Sequence, residues 1–138
     1  MSLRAAVFAG LAVASPALAD PCKLIPDKGP MPEALESGRT FSGPVVYVGD
    51  GDSLCVALGP EPQQWAEVRL ADFYAPELAH PGGQEAKVAL ARIAKGRSVK
   101  CLAQHRSHDR VVAKCNLQGR ELGALMRAAG VREGGYGR

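Results

Sequence analysis

Residues 84–95, Gln-Glu-Ala-Lys-Val-Ala-Leu-Ala-Arg-Ile-Ala-Lys, are where the chain changes period. Ala86, Ala89, Leu90, Ile93 and Ala94 fall at i, i+3, i+4, i+7 and i+8, one apolar face of a helix. Gly96 stops it. On either side the pattern is β-like. Pro44–Val48 and Ser53–Leu58 flank Asp50-Gly51, a hairpin signal, and Trp65–Phe73 reads as a third strand. After the helix, Ser98–Gln104 and Val111–Leu117 bracket a turn. A second helix over Arg120–Ala129 carries Leu122, Leu125, Met126 and Ala129 on one face, with Gly130 as its stop. Three strands, a helix, two strands and a helix predict a mainly β fold with two helices, a five-stranded barrel of OB type.

The chain has 138 residues, 46% hydrophobic and 22% charged. That suits one compact domain and fits neither a disordered chain nor a multidomain enzyme. Aromatic residues make up 5%, too few for an extended stacking platform for single-stranded nucleic acid. Net charge is +3, from 17 basic and 14 acidic residues, too mild to name a partner.

Residues 1–19 read as a cleaved signal peptide. Arg4 precedes the apolar run Ala5–Ala14, and Ala17-Leu18-Ala19 supplies small residues before a cut. The run is roughly half the length a membrane-spanning helix needs; a retained anchor or an ordinary helix is the alternative. Cleavage removes 19 residues and one arginine from 138 and +3, leaving 119 and +2. The expected location is secreted or periplasmic, with no membrane attachment after cleavage. Residues 20–42, with Pro21, Pro26, Pro30 and Pro32, read as an irregular arm, 43–130 as the barrel domain and 131–138 as a flexible tail. A monomer is the default for so small a domain.

The four cysteines, Cys22, Cys55, Cys101 and Cys115, lie beyond the leader and lack zinc-site spacing. An even count in an exported chain predicts two disulfides, reduced packed cysteines being the alternative. A turn centred on His108 sets Cys101 opposite Cys115, seven residues to either side, within bonding range. Cys22–Cys55 follows by elimination.

Three segments carry chemistry. Asp50-Gly51-Asp52-Ser53 offers carboxylates to a hard cation such as calcium, or is simply a turn. Val68–Glu77 places Arg69, a multidentate phosphate donor, in a strand and Glu77, a possible general base, after Pro76. Asp109-Arg110 opens another strand with a second guanidinium. A solvated arginine and a loop glutamate are the plainer readings of the last two. Two arginines and a carboxylate are also what phosphodiester hydrolysis requires.

With Gly83-Gln84-Glu85-Ala86 and Gly119-Arg120-Glu121-Leu122, these segments form five ordered blocks across about Gly43–Gly130 that resemble the staphylococcal nuclease (thermonuclease-like) family. The resemblance implies an OB-fold nuclease acting on DNA or RNA through backbone phosphates, with calcium as cofactor. It implies Arg69 and Arg110 as phosphate-binding residues, Glu77 as general base, Asp52 as a calcium carboxylate and Asp50 near the metal. Tyr74 stands where the family has its second calcium carboxylate, and a phenol is a poor substitute. In an extended segment positions 72 and 74 point the same way, so Asp72 is expected to take over. His108 replaces a substrate-holding tyrosine; His108 and Tyr74 are the expected substrate contacts. His80, His105 and His108 form no recognisable metal set and read as loop or surface residues. A module of this kind without activity, binding nucleic acid or protein, is the second hypothesis. A small disulfide-linked binding domain unrelated to nucleases is a third.

Overall fold

The computed structural model describes residues 20–134. The expected leader, residues 1–19, and the end of the expected tail, 135–138, lie outside the described residues. In chain order the elements are a 3-10 turn at Glu33–Leu35, β1 (Thr40–Asp50), β2 (Ser53–Ala57), a 3-10 turn at Pro62–Gln64, β3 (Trp65–Leu70), α1 (Gly83–Ala94), β4 (Ser98–Ser107), β5 (Arg110–Leu117), the short β6 (Arg120–Glu121) and α2 (Leu122–Ala128).

β1 is longer than the expected Pro44–Val48 because it serves two partners. Thr40–Pro44 pairs antiparallel with β4, and Val45–Asp50 with β2. Gly43 lies near the changeover, where any side chain would strike the Ala57 carbonyl. β2 pairs antiparallel with β3 and β4 with β5, while β3 runs parallel to β5. That last pairing closes the sheet, so five strands form a mixed barrel of OB-fold type, with β6 appended to β5.

Alternation explains the strands. In β3, Ala66, Val68 and Leu70 are fully buried, while Trp65, Glu67 and Arg69 lie half-buried on the outer face. β3 ends at Leu70 rather than Phe73: Ala71 N–H still bonds the Ala113 carbonyl, then the chain leaves the sheet and Phe73 enters the core. α1 buries Gly83, Ala86, Leu90 and Ala94 as its periodicity predicts, and α2 buries Leu122, Gly123 and Met126. The second helix starts later than expected because Arg120–Glu121 pairs with Asn116–Leu117, through a Gln118-Gly119 turn with both φ angles positive.

Both disulfides form as expected, with Cα separations of 4.0 Å for Cys101–Cys115 and 5.7 Å for Cys22–Cys55. The hairpin reaches the first pairing by a different register. Ser107 pairs with Arg110, so the turn is the two residues His108-Asp109. A bulge between Ala103 and His105, with Gln104 as the extra residue, restores the register that sets Cys101 opposite Cys115.

The arm is irregular as far as Arg39, apart from its 3-10 turn, but it is not detached. Ile25 and Leu35 join the core, Lys23 and Leu24 N–H bond the Pro62 and Trp65 carbonyls, and Arg106 donates to the carbonyls of Pro26, Gly29 and His108. In the described part of the tail, Val131 packs on the core and Gly134 N–H bonds the Tyr74 carbonyl.

Gly51 is required by space: a Cβ there would lie 2.5 Å from the Ala86 methyl and 2.6 Å from that of Ala75. Gly51→Ala is expected to cost about 1–3 kcal/mol through overpacking, read as a lower urea midpoint at unchanged slope. Wild-type stability in this variant would mean that the turn can move off α1 freely.

Candidate functional site

The β1–β2 turn, seated by Gly51 on α1, carries Asp52 beneath the loop that follows β3. Asp52 is 8% exposed. Its Oδ2 accepts from Ala75 N–H at 3.0 Å, its carbonyl accepts from Leu70 N–H at 2.8 Å, and its own N–H donates to Asp50 Oδ1 at 3.1 Å. Burial, then the hydrogen bond and charge of Asp50, push the Asp52 carboxyl up to about 7, against the opposing pull of Ala75 N–H and Arg69. The turn therefore fixes the loop bearing Tyr74 and Glu77, whatever else it binds.

The expected calcium ligands do not assemble. Asp50 and Asp52 are together, but Asp72 is not with them. Its carboxylate lies against Gly123, whose added Cβ would sit 2.6 Å from Asp72 Oδ2. Both oxygens are buried with no hydrogen-bond partner among the described residues. Burial raises the Asp72 pKa, Glu121 adds to this, and Arg127 and Lys114 oppose it. The expectation fails because the segment is not extended: after Ala71 the backbone turns to bury Phe73, so Asp72 meets α2 while Tyr74 faces the barrel. Calcium takes roughly six to eight oxygens. Two adjacent carboxylates, each already accepting an N–H, and a phenol do not fit that demand.

Three other carboxylates do converge. Ligand oxygens of Asp20, Glu67 and Asp109 lie within 4.8 Å of one another, outside β3 and beside the β4–β5 turn. Burial first, then a hydrogen bond and charge from Asp20 and the charge of Asp109, push Glu67 up to about 8, with Arg110 opposing. Asp20 is brought there by the Cys22–Cys55 bond and by its acceptance of Cys22 N–H at 2.8 Å. Sequence reading missed this cluster, since Glu67 looks like an ordinary outward strand residue and Asp20 is distant in the chain.

The two arginines share the outer face of the barrel but meet different surroundings. Arg69 lines an open cavity of about 420 Å³, together with Tyr74, Gln104, His105, Arg106 and Ser107. Arg110, beside the turn, faces Glu67 and is not among the cavity's lining residues. Glu77 is exposed; its carbonyl accepts from His80 N–H at 2.9 Å and occupies the space where a side chain on Gly83 would go. His108 is at the hairpin tip with φ 56°, outside the cavity, whereas Tyr74 lines it with its backbone held by Glu133 and Gly134. His105, which the sequence presents as a surface residue, lines the cavity as well.

The raised carboxyls make stability depend on pH. The folded chain holds these protons to higher pH than the unfolded chain, so stability falls as pH climbs from the ordinary carboxylate range through about 7 for Asp52 and about 8 for Glu67. Glu67→Gln is expected to lose less stability than wild type between about pH 5 and about pH 8, measured by urea unfolding at each pH. An unchanged pH slope would remove Glu67 as a source of the effect.

The chain matches no family model and no curated protein.

Proposed function

We propose that this chain is a nuclease that hydrolyses phosphodiester bonds of DNA or RNA. The observation that carries the reading is Arg69, a guanidinium on a rigid strand facing an open cavity with no acidic lining residue, directly beside the clamped Asp50–Asp52 turn. A planar guanidinium matches two phosphate oxygens at once. The loop fixed by Asp52 then carries Glu77, exposed and outside the cavity's lining residues, and we assign its carboxylate to accept the proton of the attacking water. As the water oxygen bonds phosphorus and the ester oxygen departs, Arg69 stabilises the charge on the non-bridging oxygens. Arg110 acts further along the backbone, beside the Asp20, Glu67 and Asp109 carboxyls and outside the cavity. The motif order shared with thermonucleases supports the same assignment.

The two disulfides suggest an oxidising environment, and no helix among the described residues is long and apolar enough to cross a membrane. Together with the leader-like residues 1–19, the disulfides support a secreted or periplasmic enzyme. One observation favours a second reading, a nucleic-acid-binding module without activity: Asp72 faces α2 rather than Asp52, leaving the expected calcium set incomplete.

Cleavage of single-stranded DNA and of RNA by the oxidised protein, with calcium, with other divalent ions and with chelator, separates the two. Arg69→Gln is expected to lower the rate by about 10²–10³-fold. Glu77→Gln is expected to lower it by about 10²-fold or more. Arg110→Gln is expected to cost less than Arg69→Gln, because Arg110 does not line the cavity. No cleavage under any condition, with binding retained, would establish the module instead.

A further inference from the structure

The strand register around the cavity gives one histidine a role that its sequence context does not announce. Arg69 of β3 lies beside Val112 of β5, and Val112 pairs with His105 of β4. Three adjacent strands thus place Arg69, Val112 and His105 in one row. Directly paired residues share a face of a sheet, so the two polar side chains flank a short valine on the outer side. Two strand spacings separate their Cα atoms by roughly 10 Å, a gap that an arginine and an imidazole can bridge around one tetrahedral anion.

The bulge is what creates this row. Ala103 pairs with Ala113 and His105 with Val112, leaving Gln104 unpaired. Without the extra residue Gln104 would stand opposite Val112, and His105 would take the place beside Val111, on the inner face. Bulges commonly re-aim a side chain in this way.

The groups facing His105 are few. Arg69 stands across the row, Arg106 follows on the same strand and Tyr74 comes from the loop. Arg106 already donates through Nε, Nη1 and Nη2 to the carbonyls of His108, Gly29 and Pro26, which commits it to the cavity wall. No lining residue is acidic, so an imidazolium in this cavity finds its counter-charge in a bound anion.

We propose that His105 is a second phosphate-contacting residue of the Arg69 cavity, and that binding of a nucleic-acid backbone there is coupled to proton uptake on its imidazole. This rests on the reading that the cavity receives backbone phosphate, in an enzyme or in a binding module alike. Imidazoles ordinarily change charge between about pH 5 and 8, so the contact strengthens as pH falls.

The test is binding of a short fluorescent single-stranded oligothymidylate to the oxidised full chain in chelator, by anisotropy, at about pH 5.5 and about pH 8. Wild type is expected to bind about tenfold more tightly at the lower pH, the scale of one added charge contact near a protein surface. His105→Gln should lose most of that ratio and His105→Lys should keep tight binding at the higher pH. Some dependence remains in every variant, because Asp52 and Glu67 also shed charge as pH falls. Arg69→Gln should weaken binding at both pH values alike. A wild-type pH ratio in His105→Gln, with Arg69→Gln impaired, overturns the role of His105 and leaves the cavity reading intact. Unimpaired binding in Arg69→Gln, or none by wild type, overturns the cavity reading and this inference with it.

Discussion

The parallel pairing of β3 with β5 is the contact on which the rest of the molecule depends. Val68, Arg69 and Leu70 lie beside Val111, Val112 and Ala113, and this three-residue seam turns an open sheet into a barrel. Parallel neighbours cannot be joined by a tight turn, so the chain must travel through the loop after β3, α1 and β4 before β5 can close the ring. The residues of the cavity lie along that detour or on the seam. The loop gives Tyr74 and Glu77, the end of β4 gives His105 and the seam itself holds Arg69. One face of the seam is solid core; the other is the floor of the cavity.

Electrostatically the outer surface is divided. Around the cavity the charged groups are Arg69 and Arg106, with His105 lining it beside them. One hairpin turn away, Asp20, Glu67 and Asp109 crowd together, and Glu67 holds its proton to unusually high pH. Arg110 stands on the acidic side of this division. Its neighbours act against its charge as much as it acts against theirs, which is why two arginines that look equivalent in the chain are not equivalent in the fold.

Much of the fold was legible because it follows from period. Ala86, Leu90 and Ala94 announce α1, Ala66, Val68 and Leu70 announce the inner side of β3, and the spacing of Cys101 and Cys115 about the last turn announces their bond. What could not be read depends on single-residue departures from period. Nothing about Gln104 marks it as a bulge, yet that residue decides which way His105 points. Asp72 departs from its pattern for a related reason: the demand of Phe73 for the core breaks the extended segment and turns Asp72 toward α2. The candidate site was therefore readable in its strand residues and opaque in its loops. Asp20 reaches Glu67 only through a disulfide between distant cysteines, a contact no local pattern encodes.

The arm has a kinetic consequence. The bond from Arg106 to the Pro26 carbonyl spans 80 residues, so it joins the hairpin tip to the start of the described chain. Long-range closures of this kind are slow to form, since their loop entropy is lost before their contacts are gained. Contacts made late in folding act mainly on the rate of escape from the native state. The arm is thus a latch on the lifetime of the folded barrel.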